Sequence, residues 1–124
     1  MAAEDGAITG PSREIATKGG LAGWQLRAIS KLAETELATL TVARMAAAAH
    51  LSLHHFSRAF RTTTGLAPRE WLLQKRLEIA KAWLVGTSRT VDQIATSLGY
   101  SSGSQFSRIF RARVGTSPQA FRRR

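Results

Sequence analysis

The 124-residue sequence contains no cysteine. That excludes disulfides, thiolate metal sites and cysteine nucleophiles, and it fits a reducing cytoplasm. No apolar run approaches the roughly 20 residues a membrane helix needs. The opening stretch MAAEDGAITGPSREIATKGG carries acids and no apolar block, so it does not read as a secretory signal. Its small residues and lack of period predict a flexible tail or linker over 1–20. Acids are scarce in the rest of the chain. Residues 38–124 hold Glu70, Glu78 and Asp92 against fourteen Lys and Arg, whereas residues 1–37 hold five acids against four bases. The net charge of +10 therefore lies wholly in the second part. The few acids look like helix-surface charges, not paired carboxylates for acid–base catalysis, so the chain reads as no enzyme. His50 and His54 have metal-binding spacing, but a turn falls between them and no carboxylate is near. GGLAG (19–23) has no strand before it and no Lys-Ser/Thr after it, so it is no phosphate loop. No metal or cofactor is called for.

What the sequence does have is basic charge and helical period. A small basic globule favours a polyanion, nucleic acid before anionic membrane. The plainer alternative is a solvated basic surface on a protein of some other function. No strand pattern stands out, and the fold class is all-α with about seven helices. Leu26, Ile29, Leu32 and Ala33 make one stripe. Thr41 is placed to cap a short Ala-rich helix, and Ser52 a second from Leu53 to about Thr63, with Phe56, Ala59 and Phe60 inward. Gly65 ends it as a glycine in a left-handed cap would. Pro68 opens a longer helix to about Val85, with Trp71, Leu73, Leu77, Ala80 and Leu84 at helical spacing and Gly86 after it. The pattern then restarts: a Thr90 cap, a helix to Leu98, a turn at Gly99–Ser101, a helix to about Arg113, Gly115, and Ser117 before Pro118. Trp24, Trp71 and Trp83 read as packing residues, and Arg122–Arg124 as a frayed tail adding unspecific phosphate attraction.

The restart is a repeat. HHFSRAFRTTTGLAP (54–68) and SQFSRIFRARVGTSP (104–118) share Phe, Ser, Arg, Phe, Arg, Gly and Pro at the same gaps. With a one-residue insertion placed at Gly103, Thr41–Trp71 lies over Thr90–Phe121 with eleven identities in thirty-one pairs. Each unit is a short helix, a tight turn and a second helix, which is helix-turn-helix grammar. Ala46 and Ala95 are small where the two helices must approach. Ser57-Arg58 and Ser107-Arg108 follow a buried Phe and so point outward or to its edge. An arginine fork there can read guanine O6 and N7 or bind phosphate. Acids that could pair locally with these arginines are absent from the neighbouring sequence. Arg61 and Arg111, the second arginines of the phrase, join the same set.

These segments, with the Ile-Ala, Gly-Tyr, Phe-Ser-Arg-x-Phe and Ser-Pro-before-aromatic signatures of the second half, closely resemble the DNA-binding domain of AraC/XylS-type transcription regulators over about Leu21 to Arg123. The resemblance implies two helix-turn-helix units, about 41–64 and 90–114, joined by a linker helix, about 68–85, within a domain over 21–124. It implies a cytoplasmic, DNA-binding regulator of transcription, taken as an activator, with double-stranded DNA as partner and RNA polymerase as a second one. The family's base-reading positions fall on His54, Ser57 and Arg58, with His55 added, and on Ser104, Gln105, Ser107 and Arg108. Two departures stand out. His50 replaces a frequent glycine, which implies a tighter or strained turn. Ala67 stands where the second unit has Ser117, which removes a side-chain cap at a cost of about 1 kcal/mol. The chain is either a solitary regulator, binding as a monomer, or the C-terminal piece of a longer one that could dimerise. A linker helix of about 18 residues spans roughly 27 Å. One chain could then read two groove segments, with unlike half-sites because His54/Ser104 and His55/Gln105 differ. A basic module for RNA or an acidic protein is the rival reading.

Overall fold

The computed structural model describes residues 19–124, so the tail expected over 1–20 lies outside the described residues except for its last two positions. Every regular element described is a helix: α1 (Gly23–Thr35), α2 (Val42–Ala48), α3 (Leu53–Thr64), α4 (Pro68–Gly86), α5 (Val91–Ser97), α6 (Gly103–Val114) and α7 (Pro118–Arg122). Among them none is long and apolar enough to cross a membrane. The chain divides into two compact units. One holds the described residues up to Glu36 and Leu40–Trp71, the other Leu37–Thr39 and Leu72–Arg124, so the division falls inside α4.

The helix starts follow from side chains that accept orphan N–H groups. Thr41 Oγ1 accepts from the Arg44 N–H at 3.1 Å, and Ser52 Oγ from the His55 N–H at 3.1 Å. Thr90 Oγ1 accepts from the Gln93 N–H at 3.0 Å, and Ser117 Oγ from the Ala120 N–H at 3.1 Å. Each such cap stabilises its helix by about 1 kcal/mol. Ala67, before α4, has no side-chain oxygen to offer. In α1, Gln25 instead accepts from the Ala22 N–H at 2.8 Å through Oε1, while its Nε2 donates to the Ala49 carbonyl at 2.9 Å. One side chain thus closes the start of α1 and the end of α2.

In the first unit α2 packs on α1 and on α3; in the second, α6 packs on α5 and on α7. The repeated phrase writes the same aromatic ladder into both cores. Phe56 and Phe60 lie 5.4 Å apart by ring centroid, and Phe60 meets Trp71 edge-on at 5.5 Å. Phe106 and Phe110 lie 5.6 Å apart, and Phe110 meets Phe121 edge-on at 5.6 Å. All four phenylalanines of α3 and α6 are fully buried, as are Ala59, Met45 and Ile94 to within a few per cent. Ala46 and Ala95 are buried, small residues in α2 and α5, the helices that pack on α3 and α6.

Both turns carry the same pair of bonds. In the first, the Leu51 N–H donates to the Ala46 carbonyl at 3.0 Å and the His50 N–H to the Ala47 carbonyl at 3.1 Å. In the second, Tyr100 donates to Ala95 at 3.0 Å and Gly99 to Thr96 at 3.1 Å. This double closure needs a left-handed residue at its fifth position. Glycine supplies it in the second unit with φ +88°, but the first unit uses His50 at φ +60°. The strain implied by the sequence is therefore present. A non-glycine residue there costs about 1–2 kcal/mol. Trp24, 5.3 Å away and edge-on, packs against the imidazole that bears the cost. His50→Gly removes the penalty but gives up that contact and adds about 0.5–1 kcal/mol of unfolded-chain entropy. Its urea midpoint is expected to sit within about 1 kcal/mol of the parent. His50→Val, β-branched in the same conformation, is expected to lose about 1–3 kcal/mol. Equal midpoints for the two variants would show that the turn is unstrained.

Three expectations from the sequence differ from the structure. The extra residue of the second repeat lies in the turn, not at Gly103. Ser102, not Ser101, caps α6 by accepting from the Gln105 N–H at 3.0 Å, so Ser52 pairs with Ser102. Leu72, rather than Leu73, is the buried neighbour of Trp71 on α4. Arg122 is no frayed tail. Its Nε donates to the Leu84 carbonyl at 2.9 Å, and its Nη2 to the carbonyls of Thr87 and Arg89. It thereby gathers the C-terminal end of α4 and the loop that follows. The tryptophans are packing residues, half-buried: Trp24 on His50, Trp71 on Phe60, and Trp83 under the Arg89 guanidinium at 4.1 Å.

Candidate nucleic-acid interface

With Phe56, Ala59 and Phe60 turned inward, the helical period assigns the opposite side of α3 to His54, Ser57, Arg58 and Arg61, at i, i+3, i+4 and i+7. His54, Arg58 and Arg61 are exposed and Ser57 is half-buried. The second unit repeats the arrangement on α6, where Ser104, Arg108 and Arg111 are exposed and Ser107 is half-buried. His55 is exposed one step off the first stripe, and its backbone N–H serves the Ser52 cap. Gln105 is engaged elsewhere. It is half-buried, and its Oε1 accepts from both the N–H and the hydroxyl of Ser101 at 2.9 Å. It braces the longer turn of the second unit, which leaves its amide nitrogen as the group it can offer a ligand.

Among the described residues no ion pair compensates the charge on these faces. Ion pairs such as Arg44–Glu36 at 3.7 Å and Lys75–Glu78 at 3.8 Å lie elsewhere. No described residue holds the guanidinium of Arg58, Arg61, Arg108 or Arg111. Arg61 and Arg111 lie in the last turns of their helices, where the helix dipole favours a cation. Among the described residues no three His, Asp or Glu side chains gather as a metal site would require.

In the first unit His54, Ser57, Arg58 and Arg61 line a cleft of about 410 Å³ together with Val42, Leu53, Ala67, Pro68 and Arg69. Leu53 and Arg69 were not singled out by the sequence reading, although both left a signal. Arg69 is a cation in the first turn of a helix, where the dipole disfavours it. Leu53 is a large apolar side chain, 54% exposed, at the first position of an otherwise outward-polar stretch. A residue that breaks a local rule is a pointer to a site.

The same architecture recurs in known proteins. A family model described as a helix-turn-helix domain matches residues 45–124. The chain belongs to the AraC-type helix-turn-helix family. This helix-turn-helix chain is 37% identical over 86 residues to the transcriptional activator NphR of a Rhodococcus species, covering 69% of the chain and 25% of NphR. It is 33% identical over 82 residues to the probable transcriptional regulator LumQ of Photobacterium leiognathi, covering 66% of the chain and 33% of LumQ. It thus spans a third or less of the length of these two relatives. Among solved structures it resembles the DNA-binding domain of AdpA, a global transcriptional factor crystallised in complex with a target DNA. The TM-score is 0.75 at 31% identity, over 81% of the chain and 90% of that domain.

Proposed function

We propose that this AraC-type chain is a sequence-specific double-stranded DNA-binding module of a transcription regulator. Two recognition helices, α3 and α6, read base edges in the major groove. The observation that carries this is the repeated outward stripe with its exposed arginines, Arg58 with Arg61 and Arg108 with Arg111, which no other described residue holds. A helix-turn-helix unit inserts the N-terminal part of its second helix into the groove. His54, Ser57 and Arg58, and Ser104, Ser107 and Arg108, occupy that part of each helix, with His55 and Gln105 at its edge. Arg58 and Arg108 serve as bidentate readers of guanine, and Arg61 and Arg111, one turn further on, as phosphate contacts. The likeness to a domain crystallised on DNA supports the same reading. The role is activation, after NphR, in the cytoplasm and with RNA polymerase as downstream partner. It is a binding role without catalysis. The chain acts as a monomer that reads two unlike segments, because the two helices differ at His54/Ser104 and His55/Gln105.

Selection of binding sites from random DNA gives the operator. Arg58→Ala and Arg108→Ala are each expected to lose about 1–3 kcal/mol on the selected site and much less on scrambled duplex. They should relax the sequence preference at different positions. Equal losses on selected and scrambled DNA would reassign both arginines to phosphate. Transfer RNA competing as well as duplex DNA would favour an RNA-binding module instead.

A further inference from the structure

Leu53 is the first residue of α3, directly after the Ser52 cap. The helical period sets it on the flank of the reading stripe, one turn before Ser57. It lies in the same cleft as His54, Ser57 and Arg58. Val42, Ala67 and Pro68 add aliphatic lining, Arg58, Arg61 and Arg69 add positive charge, and among the described residues no acid lines the cleft. Such a surface suits an apolar group carried on a polyanion. The major groove of duplex DNA displays one apolar group on its base edges, the 5-methyl of thymine. The second unit is built differently at the matching place. Residue 103 is glycine, and the Asp92 carboxylate occupies the space, so that a Cβ on Gly103 would stand 1.8 Å from Asp92 Oδ1. The first unit has room for an apolar side chain at this place, because Ala43 replaces the aspartate.

We infer that Leu53 is a specificity-determining residue of the first unit, and that it reads thymine through its 5-methyl group. The inference rests on the DNA-reading function proposed above. It makes the two segments unlike in a further way, since the first demands a thymine that the second does not.

The test uses the 124-residue chain and the selected duplex. Each thymine is replaced in turn by deoxyuridine, which removes only the methyl group. In the segment whose preference Arg58→Ala relaxes, one dT→dU change is expected to weaken binding about three- to tenfold, the lower part of the range for a base contact. Leu53→Ala is expected to bind the parent duplex weakly to the same degree and to be indifferent to that dT→dU change. As Leu53 is exposed, the variant should keep its helical circular dichroism. A selected segment without thymine, a parent chain indifferent to every dT→dU change, or a Leu53→Ala chain that keeps the full penalty would each overturn the role of Leu53 while leaving sequence preference intact. Equal binding of selected and scrambled duplexes would overturn the DNA-reading function itself, and this role with it.

Discussion

Gly99→Ala is expected to destabilise the second unit by more than about 4 kcal/mol. Gly99 sits at φ +88°, and an added Cβ would lie 2.0 Å from the Ala38 carbonyl oxygen and 2.9 Å from its carbonyl carbon. Both are backbone atoms, so no side chain can swing aside. Nor is the opposing backbone slack, because Arg76 donates twice to the Leu37 carbonyl, at 3.2 and 2.9 Å. Two costs add: about 1–2 kcal/mol for a left-handed alanine and the larger cost of prising Leu37–Thr39 off the turn. A combined loss above about 4 kcal/mol is a large part of a typical domain stability of 5–15 kcal/mol. Gly65→Ala is the control. Its φ is +83°, but nothing lies within 4 Å of the added carbon. It should lose only the conformational term, about 1–2 kcal/mol. Urea unfolding of both variants, followed by circular dichroism, reads the difference. Matching midpoints would mean that the turn and Leu37–Thr39 do not pack as described.

Binding of any duplex should collapse as salt is added. A protein that neutralises phosphates releases condensed counterions, and log affinity falls against log salt by about 0.9 per phosphate contacted. The described chain offers exposed arginines on both recognition helices and an exposed Arg69 at the start of α4, with few carboxylates to oppose them. If about six phosphates are engaged, raising salt from about 50 to 200 mM lowers affinity roughly a thousandfold. Fluorescence anisotropy on a random-sequence duplex measures the slope. A flat response would remove the nucleic-acid reading, and with it the roles given to Arg58 and Arg108.

Local chemistry made much of this fold legible in advance. Thr41, Ser52, Thr90 and Ser117 each cap as a hydroxyl before a helix should, since a cap involves only neighbouring residues. Phe56/Phe60 and Phe106/Phe110 declared the buried faces by spacing alone. The strain at His50 was visible because the resemblance places a frequent glycine there, and φ is +60°. What escaped depended on partners distant in sequence or on a choice between like neighbours. Ser101 and Ser102 are both able caps, and only the use of Ser101 by Gln105 separates their roles. Leu72 and Leu73 are equally apolar, and packing decides which one is buried. The partners of Arg122 lie 33 to 38 residues back along the chain, which charge at a terminus cannot disclose. The cleft around Leu53 draws on α2, α3 and the start of α4, so neither Leu53 nor Arg69 announced a shared surface.

The aromatic ladder has a bearing on how such a chain can change over time. One twelve-residue helix holds its inward letters and its outward letters interleaved, in α3 and again in α6. Both copies have Phe at the two buried places, while His54 in one stands against Ser104 in the other on the outer side. Scaffold and vocabulary are thus separable at the level of single codons. On the function proposed above, a substitution at position 54 or 104 changes what is read and leaves the buried face as it is. Duplication of the unit supplies a second word that can drift independently of the first.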